Sequence, residues 1–78
     1  MNTWQTPKSW KQLLTALAAG AMLEVKWIDA ALDSSTIYFR QCQLKEKIKG
    51  GCIITIGQDK ILTVMDLKSL RFKNKEKQ

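Results

Sequence analysis

The stretch Leu17-Ala18-Ala19-Gly20-Ala21-Met22-Leu23-Glu24-Val25-Lys26-Trp27 contains a change of hydrophobic period, and that change sets the fold class. Before Gly20 the apolar residues Trp10, Leu13, Leu14, Leu17 and Ala18 recur at i, i+3, i+4, i+7 and i+8, the stripe of an amphipathic helix. After it, Leu23, Val25 and Trp27 alternate with Glu24 and Lys26, the pattern of a half-buried strand. Gly20 itself is the stop, because glycine takes the left-handed conformation that closes a helix. Thr6-Pro7 supplies the start, with threonine as N-cap and proline where its missing N–H is harmless. The spacing therefore predicts a helix over 7–19 and a first strand over 22–28.

Downstream, short β-rich segments recur between turn signals. Asp29 to Ser35 reads as a loop, with turn chemistry at Asp33-Ser34-Ser35. A strand over 36–44 has conflicting faces, since Ile37 and Phe39 oppose Tyr38, Cys42 and Leu44. A bulge near Arg40-Gln41 would reconcile them, as would burial of both faces. Lys45 to Gly51 reads as a charged connection ending in a glycine pair. Strands over 52–56 and 61–65 flank the hairpin turn Gly57-Gln58-Asp59-Lys60, and 69–72 is a last short strand.

One helix followed by four or five such strands predicts an α+β domain. Consecutive strands with tight turns pair antiparallel, so a curled sheet like a small SH3-like or Sm-like barrel is expected. The alternative is one helix across a flat antiparallel sheet. The resemblance is of element order only. Residues 1–72 form the single domain and 73–78 a basic tail.

Seventy-eight residues bury only a modest core, yet 45% hydrophobic and 26% charged residues are ordinary globular values. The net charge is +6 without histidine. From Lys45 onward nine basic residues face four acids, whereas the first 44 residues carry four against three. That asymmetry favours a polyanion, either nucleic acid or an anionic surface. The chain argues against membrane binding: no apolar run approaches a membrane span, and Lys8 and Lys11 are thin for a surface helix. Those lysines, Leu13 to Ala19 and Ala19-Gly20-Ala21 sketch a secretory signal. Thr15 interrupts the apolar run, however, and helical spacing fits a domain element better. Cys42 and Cys52 are too few for a disulfide scaffold and read as buried thiols of a cytoplasmic protein, a Cys42–Cys52 bridge being the alternative.

The inventory argues against catalysis, a small-molecule substrate, a metal and a cofactor. Histidine is missing, the acids are scattered, neither cysteine has a base, and no phosphate-binding glycine motif occurs. Two binding readings remain. For DNA or RNA, Tyr38 and Arg40 on the middle strand, Lys45, Lys47 and Lys49 in the connection, and Arg71, Lys73, Lys75 and Lys77 at the end would meet phosphates and bases. For a protein partner or a homo-oligomer, Trp4 and Trp10 would anchor an interface, or a strand edge would pair with another chain. Trp27 and Phe39 are expected in the core. Cations converging beside Tyr38 favour nucleic acid; scattered cations with an exposed tryptophan or edge favour a protein.

Overall fold

A computed structural model describes residues 3–28 and 36–75. In chain order they form α1 (Trp10–Ala18), β1 (Met22–Ile28), β2 (Ile37–Ile48), β3 (Gly51–Ile56), β4 (Lys60–Val64), a single 3-10 turn (Leu67–Ser69) and β5 (Leu70–Lys73). The five strands make one antiparallel sheet in the order β4-β3-β2-β1-β5. This is the expected α+β domain with one helix and five strands. The sheet is not closed: β4 and β5 lie at its two edges.

The sheet is nevertheless curled, and β2 is the reason. Its first half pairs with β1 (Leu23 opposite Cys42, Ile28 opposite Ile37), and its second half pairs with β3 (Gln43 opposite Thr55, Ile48 opposite Gly51). Twelve residues thus serve two ladders. The register slips between Leu44 and Glu46, so Lys45 is the extra residue of a bulge. Bulges bend and twist the strand that carries them. No bulge occurs at Arg40-Gln41: the register is unbroken from Ile37 to Cys42, so Ile37 and Phe39 stay on the outer face, and the irregularity lies farther on, at Lys45. The result of the bend is visible at Lys60 of β4, whose ammonium lies 4.4 Å from the ring centre of Trp27 on β1. In a flat sheet those strands would stand roughly 14 Å apart, three spacings of about 4.8 Å.

Alternation along each strand sends one set of side chains inward. Leu23 and Val25 of β1, Cys42 of β2, Cys52, Ile54 and Ile56 of β3, Val64 of β4, and Leu70 and Phe72 of β5 form the core. Leu13 of α1 is fully buried against them, with Trp10, Ala16 and Leu17 partly so. The helix thus closes one side of the curl, as its apolar stripe requires.

Both helix ends have local causes. Ser9 is the N-cap, its hydroxyl accepting from the Gln12 N–H at 3.1 Å. The helix accordingly starts at Trp10, a turn later than the Thr6-Pro7 signal suggested, and Pro7 is buried ahead of it. At the other end Gly20 has φ +96°. Gly20 N–H donates to Leu17 O at 3.0 Å and Ala21 N–H to Ala16 O at 3.0 Å, the paired closure that satisfies the last carbonyls.

Other boundaries shift in the same physical direction, toward longer pairing. The charged run from Lys45 is strand through Ile48 and not a connection, because β3 offers it a partner as far as Gly51. Lys73 belongs to β5, paired with Met22, and not to a tail. The expected loop from Asp29 to Ser35 and the end of the basic tail lie outside the described residues. No described helix is long and apolar enough to cross a membrane.

Candidate nucleic-acid interface

Because Leu23 and Val25 face the core, Glu24 and Lys26 face outward. Cross-strand partners share a face, so Arg71, Lys73, Phe39 and Gln41 stand beside them: Arg71 is opposite Glu24, Lys73 opposite Met22, Phe39 opposite Lys26, and Gln41 opposite Glu24. Phe39 is therefore not a core residue. The Cys42 register places even-numbered positions of β2's first half inside, and Phe39 is left half-buried on the convex face.

There it meets Arg71. The guanidinium carbon lies 3.9 Å from the Phe39 ring centre and 5.0 Å from that of Trp4. Its Nε and one terminal nitrogen both reach Oε1 of Glu24, at 2.7 and 2.6 Å. Trp4 is positioned by its neighbour Gln5, which exchanges two backbone hydrogen bonds with Phe72 (2.8 and 2.9 Å) and so fastens the N-terminal segment along β5. Lys73 lies 6.0 Å from the Trp4 ring centre. The convex face thus holds three planar groups, Trp4, Arg71 and Phe39, with Lys26 and Lys73 nearby and Glu24 as the acid within the group. Cations over aromatic faces are held by the ring quadrupole, about 0.5–1 kcal/mol each at exposed sites.

The other expected site residues lie elsewhere. Tyr38 and Arg40 point to the inner side at one mouth of the curl, where Tyr38 is opposite Trp27 and Arg40 lies 5.7 Å from the Trp27 ring centre. Lys60 shares that mouth, a cation that sequence reasoning left out. Lys47 sits at the other mouth, 4.7 Å from the Trp10 ring centre, with Lys45 on the bulge and Lys49 in the following turn. The stem of Lys75 runs past Gly20, at the helix C-terminus, where a cation complements the helix dipole. Lys77 lies outside the described residues.

The cations therefore neither converge beside Tyr38 nor scatter evenly. Five of them lie against tryptophan rings: Arg71 and Lys73 at Trp4, Arg40 and Lys60 at Trp27, and Lys47 at Trp10. Trp4 and Trp10 are half-buried, with Arg71 over the ring of Trp4 and Lys47 over that of Trp10. Among the described residues the exposed large hydrophobics are Met22, Ile28, Ile37, Ile61 and Met65. Two signals could have located the convex face: the Glu24/Lys26 phase of β1 and the Arg71/Lys73 phase of β5.

Burial pushes the Cys42 thiol up to about 12, helped by nearby Cys52 and Glu24. Burial also raises Cys52, partly opposed by Lys47. Both are free, protonated thiols in the core. Among the described residues no three His, Cys, Asp or Glu side chains gather as a metal site would need. Compared with protein-family models, curated proteins and solved structures, the chain matches none.

Proposed function

We propose that this protein is a non-catalytic, nucleic-acid-binding domain that takes single-stranded DNA or RNA across the convex face of β5, β1 and β2. The observation that carries the reading is the layered Trp4–Arg71–Phe39 group flanked by Lys26 and Lys73. Unpaired bases stack on planar side chains with little regard to sequence, and each stacked base is worth about 1–3 kcal/mol. Lysines on either side neutralise phosphates and release counterions. Arg71 is already oriented by Glu24, so little side-chain entropy is lost when a base or phosphate arrives. Gln41, exposed on the same face, supplies a neutral donor and acceptor for base edges. Tyr38, Arg40 and Lys60 at the mouth near Trp27 extend the basic surface around one side of the sheet.

The test is fluorescence anisotropy with labelled single- and double-stranded oligonucleotides over a salt series. Binding to single strands, with log affinity falling linearly in log salt, is expected. Weakening on Phe39→Ala and Lys26→Gln, with the fold intact by circular dichroism, would place the strand on this face. No binding at low salt refutes the proposal.

A further inference from the structure

We infer that two copies of this chain associate through the β4 edge, with Lys60 to Asp66 pairing antiparallel to itself about Thr63. The sheet has two edges, and they are not equivalent. The outer side of β5 is already occupied at Phe72 by the two hydrogen bonds from Gln5. Among the described residues the outer side of β4 has no partner strand, and the β3–β4 register runs without a bulge from Cys52/Val64 to Ile56/Lys60. Proteins usually blunt such an edge with proline, a bulge or central charges. Here the segment has none of these between Lys60 and Asp66.

Its sequence, moreover, complements itself. Turned about Thr63, Lys60 falls opposite Asp66 of the second copy, Ile61 opposite Met65, Leu62 opposite Val64, and Thr63 opposite Thr63. A slip of one position in either direction loses the opposition of Lys60 to Asp66. Among the described residues Ile61 and Met65 are also the two most exposed large hydrophobics, at 56% and 60%. The register sets each against the other copy's counterpart on one face, where cross-strand apolar pairs stabilise a sheet. With the β5 edge covered, head-to-tail growth is blocked and a closed two-fold pair is the available assembly. The interface is one short strand per copy, so the association belongs to the weak, transient class.

Sedimentation velocity without nucleic acid, from low micromolar to near-millimolar protein, tests this. Wild type is expected to shift from monomer to dimer within that range. Ile61→Lys/Met65→Lys and Ile61→Glu/Met65→Glu should each remain monomeric, because like charges meet across the dyad. An equimolar mixture of the two should dimerise again, which generic stickiness would not produce. Thr63→Cys should form an intermolecular disulfide under mild oxidation, and Lys68→Cys should not. A wild type that stays monomeric throughout, or a Lys/Lys variant that still dimerises, overturns the inference. Both substituted side chains are solvent-exposed on the outer face, so the folded state should tolerate them; circular dichroism of each variant checks this.

Discussion

Replacing Glu24 with glutamine should move stability and binding in opposite directions. In the folded protein Oε1 of Glu24 receives two donors from Arg71, at 2.6 and 2.7 Å, with the side chains 17% and 33% exposed respectively. Glutamine keeps an acceptor oxygen but loses its charge. Hydrogen bonds to charged groups contribute about 1.5–3 kcal/mol and neutral ones about 0.5–1.5, a difference near 1 kcal/mol. Partial exposure of the pair screens this to about 0.5–1 kcal/mol. The same change deletes the acid within the Trp4–Arg71–Phe39 group. A phosphate about 5 Å from that carboxylate is repelled by roughly 0.8 kcal/mol in a water-like dielectric, a factor of about four in affinity. Arg71, freed from its counter-charge, adds about one phosphate contact, which steepens the salt slope by about 0.7 for a single strand. Urea denaturation reads the first effect and anisotropy at two salt concentrations the second. Tighter binding by a less stable protein is the expected pair of results. If affinity falls with stability, or if affinity and salt slope are unchanged, the bound strand does not cross Glu24 and the proposed face is wrong.

Two further perturbations test the fold itself. Gly51→Ala should destabilise by about 2 kcal/mol, as overpacked sites commonly do. An added Cβ would lie 2.5 Å from the Val64 carbonyl oxygen and 2.6 Å from Met65 Sδ, and the first is backbone. The urea midpoint should drop with the slope unchanged. The cysteines should resist iodoacetamide under native conditions and react once unfolded, because both are buried thiols and raised. For Cys42 the folded value is raised from 9.0 to about 12, so the unfolded state loses its proton first as pH rises. Stability from this group is complete below pH 9 and is lost between about 9 and 12, at most about 4 kcal/mol. Cys42→Ala should flatten that part of the profile measured by urea titration at stepped pH.

The element order was legible because period and punctuation agree. The helix stripe ends at Gly20, and β1 alternates without a break, so the strand over 22–28 is legible in the sequence. What failed was tertiary in origin. Lys45 to Ile48 has the composition of a solvated connection, and only the presence of β3 as a partner makes it strand. The β1–β2 register decides which of Phe39 and Tyr38 is inside, and composition does not encode it. Ser9 rather than Thr6 is the cap, its hydroxyl accepting from the Gln12 N–H, and Pro7 lies buried ahead of the helix. As for the site, Arg71 and Lys73 could be named from charge alone. Their meeting with Trp4 and Phe39 depends on β5 pairing with β1 across 47 positions of chain, which no local pattern reveals.

That long-range pairing also orders the folding reaction. The β3–β4 hairpin and the β2–β3 turn join close neighbours in sequence and form without large loop-closure entropy. The β1–β5 ladder closes most of the chain into a loop, so it belongs late in folding. The Gln5–Phe72 bridge is fastened onto this late ladder and consists of a single pair of hydrogen bonds. Local opening is cheapest at such a place. A molecule whose Gln5 segment has lifted presents two unpaired edges instead of one, and its assembly changes from self-limiting to open-ended. Two backbone hydrogen bonds at Gln5 thus stand between a closed pair and linear aggregation.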